Sequence, residues 1–168
     1  MNSAPVGISA CLLGLQVRYD GGHKRSDLLA DVLASRLKWV PVCPEEECGL
    51  GVPREPMRLE GSPHAPRLVT IESRVDLTER MLRWARLRVG QLEGQKLAGF
   101  VFKCRSPSCG LRQVSVLDSR SQPHAAGTGL FARIFGEHFP LLPLTDEESL
   151  QDTDAREDFI ARVLRTAG

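Results

Sequence analysis

The sequence has almost no net charge. Its 22 lysines and arginines stand against 21 aspartates and glutamates, which leaves +1 at neutral pH. Binding nucleic acid through bulk electrostatics needs a basic excess. That class is disfavoured, tRNA included, while a local anion site or a small nucleotide stays open. Long apolar runs are also missing. None approaches the roughly 20 residues of a membrane span, so no membrane segment is expected. The first residues, MNSAPVGISACLLG, lack a basic segment leading into a long apolar core and are read as carrying no secretory signal. The expected compartment is the cytoplasm, where thiols stay reduced. There is no C-x-x-C pair, no internal repeat and no low-complexity tract.

What is present fits one globular domain over residues 1–168. Hydrophobic residues make up 42% and charged residues 26%, enough for a real core. Val6 to Ala10 (VGISA) reads as a buried strand. A helix is expected from Ser26 or Asp27 to about Leu37, with Leu28, Leu29, Val32, Leu33 and Leu37 on its apolar side. KWVPVC is a second strand ending at Cys43, and its Pro41 predicts an edge position. CPEEECGLGVPREP reads as a loop, and Met57 to Ser73 as a hairpin turning at GSPHAP. Thr78 is expected to cap a helix to about Leu92, with Leu82, Ala85, Val89 and Leu92 on one face. AGFVF is a third strand, a helix starts near Gly129, and PLLPL (Pro140 to Leu144) is a fourth short apolar run. Thr145 with Glu148 fits a capping box before a last helix carrying Phe159, Ile160, Val163 and Leu164. Strands alternating with helices predict an α/β fold with a small, mainly parallel sheet flanked by helices. Right-handed crossovers would then gather the strand-to-helix loops at the carboxyl edge of the sheet, where open α/β folds bind ligands.

Cys11, Cys43 and Cys109 all lie in such loops. Five cysteines in a reducing compartment read first as ligands, nucleophiles or buried small residues. Three thiolates brought together repel one another unless a cation holds them. A structural zinc site would ordinarily take four protein ligands, whereas an iron–sulfur cluster on three cysteines leaves one iron open. Spacing alone does not choose among these, nor against three inert buried cysteines.

ISACLLG with VRYDGGHK, PVCPE with GLGVPREP, K-x-x-SPSCG and a later GTGLFA, in that order, resemble the thiouracil desulfidase family, formerly known only as a domain of unknown function. The resemblance runs from Ile8 to the final helix. It implies a 4Fe-4S cluster held by Cys11, Cys43 and Cys109, with Cys48 and Cys104 outside the ligand set. It further implies removal of sulfur from thiouracil or a thiolated uridine nucleotide, without net redox change, to give the oxo compound and sulfide. Glu45 is then the expected general base or proton shuttle. Ser106, preferred to Ser108, is the expected catalytic hydroxyl, hydrogen-bonding the ring or relaying that proton. Without the resemblance, Glu45 would read as a solvated acid beside Glu46 and Glu47, and Ser106 as the start of a Ser-Pro turn.

Substrate anchoring is expected from the polar loop after Cys11, which carries Arg18, Asp20, Gly22, His23 and Lys24. Lys103, with Arg105, and Ser108 flank the third cysteine loop. Gly127 and Gly129 precede a helix whose amino-terminal amides suit an anion. His64, His124 and His138 receive no role, and Trp39 and Trp84 read as core. Two other functions are compatible with the three cysteines: a zinc hydrolase using Glu45 as base, and a non-catalytic iron–sulfur or sulfide sensor in which Glu45 and Ser106 are dispensable.

Overall fold

The computed structural model describes residues 3–168. Four parallel strands, β1 (Ala4–Ser9), β2 (Leu37–Val42), β5 (Phe100–Phe102) and β8 (Leu144–Asp146), form one sheet in the order β2-β1-β5-β8. Being parallel, they present all four carboxyl ends at one edge. Pro41 sits on β2 at the margin of the sheet, the position that tolerates a residue without an amide hydrogen. A second sheet, in the order β4-β3-β6-β7, joins the expected hairpin β3 (Met57–Ser62) and β4 (Ala65–Thr70) to a further antiparallel pair, β6 (Val114–Leu117) and β7 (Pro123–Gly127). The remaining helices are α1 (Pro44–Glu47), α2 (Thr78–Glu93), α3 (Leu130–His138) and α4 (Thr153–Ala167).

Side-chain alternation along the parallel strands divides the core. Val6 and Ile8 of β1 and Val101 of β5 pack with Phe159, Ile160 and Val163 of α4 on one side. Phe100 and Phe102 face the other side, towards Phe131 and Phe135 of α3 and Val89 of α2. The Phe100 and Phe102 rings stack at 4.2 Å between centroids and meet Phe131 and Phe135 edge-on. Gly7 of β1 makes room for this cluster, since a Cβ there would fall 2.2 Å from the Phe100 ring. Leu59, Leu68 and Val116 of the second sheet cover Met81 and Leu82 of α2, so α2 has a sheet on each side.

Several local expectations change. Leu37 belongs to β2, paired with Ala4, and the preceding segment is one π-type turn (Leu28–Val32) and one 3-10 turn (Leu33–Ser35) that leave Val32 exposed. The stretch read as a loop after Cys43 begins with α1, because Pro44 presets the first helical φ and Glu47 accepts a hydrogen bond from the Cys43 amide at 2.8 Å. Thr78 does not cap α2; its hydroxyl accepts from the Leu68 amide, and Asp76 accepts from the Thr78 amide. The box of Thr145 and Glu148 is not formed. Thr145 lies in β8, Glu148 pairs with Arg105, and α4 is capped by Asp152, whose carboxylate accepts from the Ala155 amide. Leu144 is the one residue of PLLPL in a strand, and Leu141 is exposed.

Glu60, on the opposite face of β3 from Leu59, is buried. Arg74 donates to both of its oxygens at 2.5 and 2.7 Å, and Arg58 donates at 2.7 Å. The hydrogen bonds from Arg74 outweigh desolvation and, with Arg58, pull its carboxyl down to about 2. A lowered folded-state value stabilises above the unfolded value, near 4.3, and that contribution disappears as pH falls through 2. Glu60→Gln should therefore cost about 1–3 kcal/mol at pH 7. Urea midpoints of the two proteins should converge between pH 4.5 and 2.

Candidate active site

The three cysteines converge because each follows a parallel strand. Cys11 lies two residues past β1, in a single 3-10 turn (Ala10–Leu13) that Gly14 ends with a φ of 91°. Its carbonyl accepts from Lys24, which draws the 15–24 loop back over the site. Cys43 immediately precedes α1. Cys109 lies in the loop after β5, where Ser106 accepts the Cys109 and Ser108 amides at 3.0 and 3.2 Å. All three line one cavity of about 400 Å³, together with Glu45, Ser106 and Lys103. That volume lies within the usual range for small-molecule sites.

Glu45 stands among the thiols. One oxygen accepts the Ser108 hydroxyl at 2.5 Å and the other lies 3.8 Å from the Cys43 sulfur. Burial, followed by the Glu45 charge, pushes Cys11 up to about 11 and Cys43 up to about 12; the same two causes push Cys109 well above the usual thiol value. Uncompensated thiolates are thus disfavoured in this pocket. Cations oppose this: Lys103 and Arg18 at Cys11, and Arg54 at Cys43. A cation bound among the sulfurs would do so directly. Among the described residues, no group of three or more His, Cys, Asp or Glu side chains is arranged to hold a single metal ion. Zinc–sulfur bonds of about 2.3 Å would need the sulfurs within roughly 4 Å of one another, so the zinc hydrolase has no prepared site. A polynuclear centre spaces its ligands more widely and is compatible with three thiols on one cavity wall.

The two serines occupy different positions. Ser108 is fully buried and commits its hydrogen to Glu45. Ser106 uses its oxygen to hold two amides and lines the cavity, which leaves its hydroxyl hydrogen for a bound molecule. Cys48 lies outside this cavity, with its sulfur on the Glu45 carbonyl. Cys104 is on the cavity wall, 3.0 Å from Glu147 and 3.3 Å from the Lys103 ammonium.

Of the expected anchoring residues, Arg18, Lys24 and Lys103 reach the cavity. Asp20 and His23 instead shape their own loop, accepting the amides of Gly22 and Arg25. Gly127 packs against Val116 and Pro63. Gly129 lies against the Ser108 backbone, where a Cβ would fall 2.5 Å from the Ser108 carbonyl carbon. The amides that begin α3 are already used. Leu130 donates to Pro107, and Phe131 and Ala132 donate to Ser108. This end of α3 supports the cysteine loop rather than an anion.

Three contributors escaped the sequence reading. Ser9 lines the cavity beside Cys109 and accepts the Lys103 amide at 2.8 Å. Glu147 follows β8 at the same sheet edge and holds Lys103 at 2.6 Å. Arg54 lies in GLGVPREP, a motif that carried the resemblance without any assigned chemistry. The anchoring loop also brings Tyr19, the sole tyrosine of the chain, to the cavity wall, with the Arg18 guanidinium 5.7 Å from the ring centre.

A sequence model described as 2-thiouracil desulfurase matches residues 6–147. The uncharacterised protein YbbK of Bacillus subtilis (strain 168) is 30% identical over 108 residues, which covers 61% of this chain and 71% of that protein. A solved structure named 4Fe-4S-dependent thiouracil desulfidase TudS (DUF523Vcz) superposes with a TM-score of 0.72 at 31% identity, covering 93% of this chain and 99% of that one. Among the described residues, no helix is long and apolar enough to cross a membrane.

Proposed function

We propose that this chain, which belongs to the 2-thiouracil desulfurase family, is a 4Fe-4S-dependent desulfidase that replaces the sulfur of a thiolated pyrimidine with oxygen. The observation that carries this reading is the placing of Cys11, Cys43, Cys109 and Glu45 around one cavity of about 400 Å³. Three thiols with buried cations beside them fit an anionic cluster. Cys11, Cys43 and Cys109 would hold the cluster, which would supply Lewis-acid chemistry suited to a soft thiocarbonyl sulfur. Water adds to the ring carbon, the carbon–sulfur bond breaks and hydrosulfide is released. Carbon keeps its oxidation level, so no external electron donor or acceptor is needed.

The residues of the chain supply the proton handling. Glu45 takes a proton from the attacking water, and the Ser108 hydroxyl fixes the carboxylate in place. Ser106 donates its free hydrogen to the ring. Tyr19 offers a face on which a pyrimidine stacks, and Arg18, Lys24 and Lys103 give the cavity a basic wall suited to an anionic nucleotide as well as to the free base. A small thiolated base or nucleotide in the cytoplasm is the substrate class that fits; a tRNA would need a wider basic surface than a chain of net charge +1 offers.

The test is anaerobic reconstitution followed by incubation with 2-thiouracil, 4-thiouracil and thiouridine monophosphate, with sulfide and oxo product measured together. Equal amounts of both should form from at least one of them, without added reductant or oxidant. Iron-loaded protein that leaves all three intact would overturn the desulfidase reading in favour of a sensor.

A further inference from the structure

Arg54 is an arginine whose side chain is buried to 8% exposure and which lines the thiol cavity. Its Nη1 donates to the Gly51 carbonyl at 2.8 Å and its Nη2 to the Val17 carbonyl at 2.7 Å. Its Nε is buried with no hydrogen-bond partner among the described residues. The carboxylate paired with it, Glu46, is 4.0 Å away and 44% exposed. A buried guanidinium held by two carbonyl dipoles still carries a full positive charge, and removing such a charge from water costs several kcal/mol unless a counter-charge answers it.

The Val17 carbonyl that accepts from Arg54 also lies 3.8 Å from the Cys43 sulfur, so guanidinium and thiol share one oxygen. The backbone amide of Arg54 donates to the Tyr19 carbonyl at 2.7 Å, which ties Arg54 to the loop that carries Arg18 and Tyr19. The guanidinium therefore keeps a fixed position at the edge of the thiol cluster.

We propose that Arg54 is the built-in counter-ion of the cofactor site. Its clamped guanidinium offsets the negative charge that the site acquires when Cys11, Cys43 and Cys109 hold an iron–sulfur cluster. This rests on the iron–sulfur reading and adds to it a positioning residue that contributes no ligand and no proton. A cluster on three thiolates is anionic and becomes more so on reduction. A fixed cation nearby therefore strengthens its retention and favours the reduced form.

Wild-type, Arg54→Lys, Arg54→Gln and Arg54→Met proteins are to be reconstituted anaerobically. Iron and sulfide per chain, resistance to a chelator and the reduction potential by EPR-monitored titration are then measured. Thermal melting of each metal-free protein establishes that it is folded, and Met serves as the charge-free variant if Gln fails to fold. The charge-free variants should lose iron faster and show a more negative potential. The shift expected is at least tenfold in the reduced-to-oxidised ratio, about 59 mV for one electron. Lys, which keeps the charge and loses the two-pronged clamp, should stay near wild type. Unchanged potentials in folded Gln or Met variants, or equal shifts in Lys and Met, would overturn the proposal and leave Arg54 as a loop tie. A wild-type chain that takes up no cluster would instead overturn the iron–sulfur reading, and this inference with it.

Discussion

Single replacement of Cys11, Cys43 or Cys109 by serine is expected to abolish cluster binding and reduce sulfide release to the uncatalysed background. The sulfurs approach one cavity from three separate strand ends, so each is a separate point of attachment for the cluster. A serine hydroxyl is a harder and far less acidic donor than a thiol, and iron–sulfur centres select thiolate. The comparison proteins are Cys48→Ser and Cys104→Ser. Cys48 lies off the cavity against a backbone carbonyl. Cys104 has its sulfur held between Glu147 and Lys103, and burial followed by the Glu147 hydrogen bond pushes its thiol up to about 11. Both variants should reconstitute with wild-type iron content, read by metal analysis and visible absorbance. Loss of iron from Cys104→Ser alone, with Cys11→Ser retaining it, would show that the ligand set is drawn wrongly.

The second large effect is expected at Glu45. Glu45→Gln should lower turnover by about 10²–10⁴-fold with iron content unchanged, because an amide accepts no proton from water. Ser108→Ala, which removes the 2.5 Å hydrogen bond that orients the carboxylate, should cost about 10- to 100-fold. A second measurement needs no cluster. The Glu45 charge is the largest cause after burial that raises Cys11, Cys43 and Cys109. In metal-free protein, Glu45→Gln should therefore bring Cys11 and Cys43 down from about 11 and 12 and speed their alkylation at pH 8–9, where more thiolate would then be present. Wild-type turnover in Glu45→Gln would remove Glu45 from the chemistry. Unchanged alkylation rates would remove it from among the thiols.

The sequence by itself determined β1, β2, β5 and the hairpin of β3 and β4, the two long helices and the cysteine loops. Each of these is encoded locally, by a run of apolar residues, by 3.6-residue periodicity or by glycine and proline at a break. It also determined that loops after parallel strands meet at one edge, which is a rule of topology and needs no coordinates. The second sheet was not legible in the same way. β7 is built from PHAAG, whose residues have little strand preference, and only its pairing with β6 makes it a strand. Tertiary structure alone decided which charged side chains serve the site. Nothing local separates Arg54 from Arg18, or Glu147 from Glu148, since a charged residue in a loop reads as solvated until a distant chain segment covers it. Arg54 is covered by the carbonyls of Val17 and Gly51, and Glu147 by Lys103 and the Cys104 amide. The two serines of SPSCG differ for the same reason. Ser108 lies against Glu45, which is 63 residues away in sequence, and Ser106 holds amides of its own turn.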